Sequence, residues 1–131
     1  MSPEGQVRAD RNGVLGQAHV LGIERSHNTI DGDLGGVPVE VKTCEAVIKN
    51  GYRPETGKPL CPRLGRFHLS DYQHKHLLEQ GGDYAFVVVS NGRILGESRV
   101  SAQTVEDQFA PSTRRVTRIP YTAFVQAFVF S

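Results

Sequence analysis

Hydrophobic and polar positions along the chain fall into two periods, and each marks its own elements. The apolar run 84–90, Tyr-Ala-Phe-Val-Val-Val-Ser, predicts a buried strand, and Asn91-Gly92 predicts a tight turn into a further strand over 93–100. Upstream, 29–34 and 37–43 read as two strands joined at Gly35-Gly36, with a shorter strand over 23–26 before them. A helix is predicted over 3–20, with Ser2 as N-cap and Pro3 at the first helical position, although Gly13 and Gly16 lower its intrinsic helicity. Ser70 caps a second helix over 71–80, stopped by Gly81-Gly82. A short helix over 101–109 follows, and the apolar tail 121–130 closes the chain as a helix or strand. Between the strands and the second helix, 49–66 carries three glycines and three prolines and reads as a long polar loop. The order helix, strand, strand, strand, helix, strand, with appended C-terminal elements, predicts an α/β fold with a central mixed β-sheet flanked by helices.

At 131 residues the chain suits a single domain over 1–131, and its 22 % charged residues match a soluble globular protein. No apolar run reaches the roughly 18 residues of a membrane span, and the N-terminus lacks a basic stretch followed by an apolar core. The expected location is therefore cytoplasmic, in a cell or encoded by a virus within it. The formal net charge of +1 does not by itself mark a nucleic-acid binder, so the distribution of charge matters more. Over 49–66, Lys49, Arg53, Lys58, Arg63 and Arg66 stand against one acid, Glu55, and Arg114, Arg115 and Arg118 form a second basic cluster. Either cluster reads as a solvated loop or as a phosphate-contacting surface. Cys44 and Cys61 are expected as free thiols, because their separation fits no Cys-x-x-Cys knuckle. A zinc site joining them to His68, His74 or His76 is the alternative, on no established ligand spacing.

The hairpin carries the chemistry. With Gly35 and Gly36 as turn residues, Leu34 pairs with Val37, Asp33 with Pro38 and Asp31 with Glu40. Side chains alternate along a strand and directly paired residues share a face, so Asp31, Asp33, Glu40 and Lys42 point to one side while Val39 and Val41 point to the other. Facing carboxylates destabilise a strand pair. A divalent cation removes that conflict, and Mg²⁺ takes one or two protein carboxylates while keeping several waters. Such an ion polarises a phosphodiester, and Lys42, two residues beyond Glu40, is placed to orient an attacking water and offset developing negative charge. A Glu-x-Lys strand alone is more often a solvated face or an ion pair. The neighbouring acids and the helix and buried strand that follow favour chemistry.

The Ile30-Asp31 … Glu40-Val41-Lys42 pattern resembles the PD-(D/E)XK nuclease superfamily, which includes type II restriction endonucleases, mismatch-repair nicking enzymes, archaeal Holliday-junction resolvases and RecB-type exonucleases. The resemblance spans about 3–100 and rests on the motif and the order of elements. It implies a restriction endonuclease-like core, α-β-β-β-α-β. Glu40 and Lys42 match the second acid and the lysine. Asp31 is the preferred first acid and Asp33 the alternative; Ile30 and Gly32 stand where the family has proline. The resemblance also suggests Glu4 on the first helix as a further metal-site residue. Gln73, four residues before Leu77 and so on the sheet-facing side of the second helix, is expected to reach the site, whereas His74, Lys75 and His76 are expected on the exposed side.

The implied function is a Mg²⁺-dependent DNA endonuclease, with Mn²⁺ able to substitute, acting as a homodimer and either resolvase-like and structure-specific or restriction-like. Asp31, Glu40, Lys42 and Gln73 are the expected catalytic residues. Asp31, Asp33 and Glu40 are the expected metal ligands. Because 49–66 leaves the Glu40–Lys42 strand directly, Lys49, Arg53, Lys58, Arg63 and Arg66 are the expected DNA contacts, with Tyr52 stacking on a base or pinning the loop. The rival readings are a catalytically silent DNA-binding or assembly module on the same fold and a zinc-binding regulatory domain.

Overall fold

Alternating side chains sort the apolar residues onto the two faces of one mixed sheet, and that sorting sets where every other element packs. The computed structural model describes residues 3–21, 30–48, 55–58, 62–127 and 129–130; the side chains of residues 3–5 and of those after 124 lie outside that description. In chain order the elements are α1 (Pro3–Leu21), β1 (Gly32–Leu34), β2 (Val37–Glu45), β3 (Val47–Ile48), β4 (Arg63–Leu64), β5 (Arg66–Ser70), α2 (Asp71–Glu79), β6 (Asp83–Ser90), β7 (Arg93–Ser101), α3 (Ala102–Phe109), β8 (Val116–Pro120) and β9 (Val129–Phe130). Turns of 3₁₀ helix at Pro111–Thr113 and Tyr121–Ala127 flank β8.

The central sheet runs β1-β2-β6-β7-β9. β2 lies parallel to β6, from Val39 opposite Asp83 to Glu45 opposite Val89, and the other neighbours are antiparallel. Each of the residues from Tyr84 to Val89 is buried, so both faces of β6 are covered. On one face Val39, Val41, Ala85, Val87 and Val89 meet Leu15, Val20 and Leu21 of α1. On the other, Cys44, Tyr84, Phe86 and Val88 pack with Phe67 and Leu69 of β5, Leu77 of α2, Val105 of α3 and Ile119 of β8. This second layer includes an antiparallel β5–β8 ribbon. The expected mixed α/β sheet flanked by helices is the observed class.

Gly13 and Gly16 do not interrupt α1, and Gly16 has a packing role. A Cβ there would stand 2.3 Å from Thr43 Cγ2, so the missing side chain lets α1 lie close against β2. Gly65 serves the same purpose at the start of β5, where a Cβ would fall 1.7 Å from the Glu45 carbonyl oxygen.

Several boundaries differ from the sequence expectation. β1 begins at Gly32 rather than 29, because Asp31 meets β2 through bonds that involve side chains and makes no backbone ladder bond to it (below). β2 continues past Thr43 to Glu45. The predicted loop over 49–66 contains β4, which pairs with β3, and the first residue of β5. The Phe67 and Leu69 alternation of β5 was obscured by the prolines and glycines before it. β8, with Thr117 and Ile119 inward and Arg118 outward, was not anticipated at all. The strand over 23–26 and the Ser2 cap lie outside the described residues.

Gly16→Ala gains up to about 1 kcal/mol of helix propensity and loses about 1–3 kcal/mol to overpacking. We expect a net loss, read as a lower urea midpoint. Thr43→Ser, which removes Cγ2, should restore most of it in the double variant. Additive losses in the double variant would show that the contact is not the cause.

Candidate active site

The β1–β2 hairpin brings two acids together at the sheet edge. Gly32 pairs with Val39, so Asp31, the next residue out, falls beside Glu40. The Asp31 carboxylate accepts the Val41 backbone N–H at 2.8 Å, in place of a ladder bond, while the Asp31 backbone N–H donates to Glu40 Oε2 at 3.2 Å. Gln17 of α1 donates its side-chain amide to Asp31 Oδ1 at 2.8 Å. Asp31 is thus tied to the strand and to a helix, and both acids are buried, at 7 % and 4 % exposure.

Lys42, two residues along β2, completes the group. Its Nζ lies 3.7 Å from Glu40 Oε1 and donates to Gln73 Oε1 of α2 at 3.0 Å. Glu40 pairs with Tyr84 and Lys42 with Phe86 across the parallel ladder, so the site stands on an aromatic floor. Burial pushes the Glu40 carboxyl up to about 8; Lys42 opposes that rise and Asp31 adds to it. A carboxyl in this state needs a proton or a second cation beside it. Among the described residues no group of three or more His, Cys, Asp or Glu is gathered for a metal. Asp31 and Glu40 offer two adjacent carboxylates, oxygen donors of the kind that hard divalent cations take.

α2 is held against this face by a buried polar chain. His74 is fully buried; its Nδ1 lies 2.8 Å from Tyr84 Oη and its Nε2 2.7 Å from Glu106 Oε2 of α3. Glu106 in turn accepts from the Ser112 hydroxyl, which holds its carboxyl below the usual range. Burial, then the charges of Glu40 and Glu106, hold the Tyr84 phenol protonated. The expectation that His74 lines the exposed side is corrected: it precedes the buried Leu77 by three residues and so shares its face. Lys75 is exposed and His76 half-buried.

The structure gathers Asp31, Glu40, Lys42 and Gln73. Asp33 is exposed, near the turn and opposite Pro38. Glu4 is far from Gln17, about 20 Å along the helix at 1.5 Å per residue, and its side chain is outside the described residues. Lys58, Arg63 and Arg66 are exposed, while Lys49, Tyr52 and Arg53 lie outside the described residues. Cys44 is buried in the apolar cluster, which pushes its thiol up to about 12 and makes it a poor zinc ligand; Cys61 lies outside the described residues. Gln17 and Tyr84 were missed from the sequence. Gln17 directly follows Gly16, the point of closest helix–strand approach, which was the available signal.

A family model described as a PD-(D/E)XK nuclease superfamily domain matches residues 17–119, a span that takes in Gln17, both acids, Lys42 and α2. No curated protein matches the chain. Among the described residues no helix is long and apolar enough to cross a membrane.

The raised Glu40 carboxyl has a signed effect on stability. A carboxyl whose folded value exceeds its unfolded one binds more protons in the native state, so its stabilising effect is full below the unfolded value and is lost as pH rises through the folded one. In EDTA, the urea midpoint should fall between about pH 5 and pH 8. Glu40→Gln should flatten that fall, and an unchanged slope in this variant would assign it to other groups.

Proposed function

The chain belongs to the PD-(D/E)XK nuclease superfamily, and from that premise we propose that it is a Mg²⁺-dependent DNA endonuclease whose site is Asp31, Glu40, Lys42 and Gln73. Membership suggests nuclease activity, and nucleases of this superfamily generally use divalent metals. The observation that carries the finer reading is the buried Asp31–Glu40 pair with Lys42 against it. Keeping two acids adjacent and out of water costs stability, and a cation is the natural counter-charge.

In this reading Asp31 and Glu40 hold Mg²⁺, or Mn²⁺ in its place, and Asp33 is not a ligand; its exposure supports that choice. When bound, the ion supplies a Lewis acid for the phosphodiester. Lys42, fixed by Glu40 and Gln73, orients the water that attacks phosphorus, and its charge offsets the negative charge building on the non-bridging phosphate oxygens; as the new P–O bond forms and the P–O bond to the leaving strand breaks, the water gives up a proton to solvent and the leaving oxygen takes one from solvent. Gln17 fixes Asp31, and Gln73 fixes Lys42. Lys49, Arg53, Lys58, Arg63 and Arg66 bind the DNA backbone in this reading. Cutting both strands calls for two such sites, so the active species is a homodimer, working on DNA in the cytoplasm. Both a structure-specific, resolvase-like enzyme and a restriction-like one are consistent with this site, and the substrate test separates them.

The test is cleavage of supercoiled plasmid and of a four-way junction with Mg²⁺, Mn²⁺ or EDTA. Glu40→Gln, Asp31→Asn and Lys42→Ala should each lower the rate on the order of 10²–10³-fold, and Gln73→Ala about 10–100-fold. Asp33→Asn should leave it nearly unchanged. Circular dichroism checks that each variant is folded, and preference for the junction over plasmid separates the two substrate classes. DNA binding with no cutting in either metal would overturn the reading in favour of a silent binding module.

A further inference from the structure

We infer that the outer face of the β5–β8 ribbon is a second nucleic-acid contact, on which Arg66, His68 and Arg118 bind the phosphate backbone of the DNA strand leading away from the active site. The inference rests on the nuclease reading, which already counts Arg66 among the backbone contacts, and extends that contact across the ribbon to His68 and Arg118.

The ribbon's register fixes the face. His68 pairs with Arg118, Arg66 with Pro120 and Ser70 with Val116, while Phe67 and Leu69 pair with Ile119 and Thr117. The second set points into the core and the first points outward. Arg66, His68 and Arg118 are therefore neighbours on one exposed side, with Arg66 diagonal to Arg118. Directly opposite residues lie about 5 Å apart and diagonal ones about 7–8 Å, close to the spacing of successive phosphates along a strand. Like charges this close repel in the free protein, and an anion removes the conflict.

The face is continuous with the catalytic group at one end. Ser70, last on β5, turns its hydroxyl to accept the backbone N–H of Gln73, whose side chain holds Lys42. His68 stands among cations: besides partial burial, Arg118, Arg66 and Lys42 all push its imidazole below its ordinary value. The charge along this face comes from Arg66 and Arg118, with Lys42 beyond Ser70 and Gln73 at the end next to the catalytic group. At the same end the Arg115 carbonyl accepts the Asp71 N–H, which brings the exposed Arg115 beside the first turn of α2, and there Tyr72 is 71 % exposed. An exposed aromatic next to a basic track is suited to stacking on an unpaired base. A net charge of +1 for the whole chain conceals this local concentration.

The experiment is fluorescence anisotropy of the full chain with a fluorescein-labelled DNA duplex, in Ca²⁺ to prevent cutting, over a series of salt concentrations. Each lost phosphate contact lowers the log–log salt slope by about 0.9, so Arg66→Gln with Arg118→Gln should lower it by about 1.8 and weaken binding roughly thirtyfold at 0.15 M salt. Arg93→Gln, on β7, should change neither. Tyr72→Ala should weaken binding to a duplex with a single-stranded overhang while leaving the slope unchanged. Thermal midpoints of all variants should match the wild type, since these side chains face solvent. If the wild type cuts plasmid but the double variant keeps its slope and affinity, the ribbon inference is overturned, the backbone contact at Arg66 falls with it, and the nuclease chemistry at Asp31, Glu40 and Lys42 stands. If the wild type binds without cutting and the double variant lowers the slope, the ribbon stands and the nuclease reading falls. If the wild type neither binds nor cuts, both fall.

Discussion

Two carboxyl groups share a small volume at the edge of the sheet with little water to screen them. Each is held by something it cannot easily leave: Asp31 by the Val41 amide and Gln17, Glu40 by the Asp31 amide and Lys42. Opposed backbone and electrostatic terms meet here. The amide bonds hold the acids together, while repulsion and desolvation push them apart. The burial that raises Glu40 also strengthens every charge–charge interaction within reach, because the local dielectric is low. A surface version of the same pair would be solvated, and correspondingly weak.

The surrounding fold keeps this arrangement rigid. α1 approaches β2 closely because residue 16 has no side chain, and that approach lets Gln17 reach Asp31. α2 is anchored at its start by Ser70 and along its length by His74, whose two ring nitrogens meet Tyr84 of the sheet and Glu106 of α3. Gln73 lies between these anchors, so its hold on Lys42 depends on the docking of the whole helix. Support of this kind, from outside the reacting groups, separates a geometrically defined site from a chance meeting of charges.

Much of this was legible from the residues, for identifiable reasons. The hairpin register followed from Gly35-Gly36, and with it the juxtaposition of Asp31 and Glu40. The Ser70 cap and the Asn91-Gly92 turn marked element ends that the structure keeps, because capping and turn chemistry are local. The choice between Asp31 and Asp33 was not legible. Both lie on the same side of the strand, and only tertiary packing against α1 distinguishes a buried residue from an exposed one. His74 was misjudged because its polarity was weighed above its position three residues before Leu77. The β5–β8 ribbon was hidden because its two strands lie far apart in sequence, and a short strand half exposed to solvent carries a weak alternation.

The parallel pairing of β2 with β6 has a consequence in time. Asp31 and Glu40 lie nine residues apart and meet within one hairpin, whereas Glu40 meets Tyr84 only after the chain has closed a loop of more than forty residues. Closing long loops is slow, and local turns form first. In a nascent chain the acids are therefore paired while still hydrated, and repulsion between them is mild. The aromatic floor arrives later and turns a tolerable contact into a strained one. A polypeptide that stops short of β6 has both acids and the lysine but not the environment that gives them their strength.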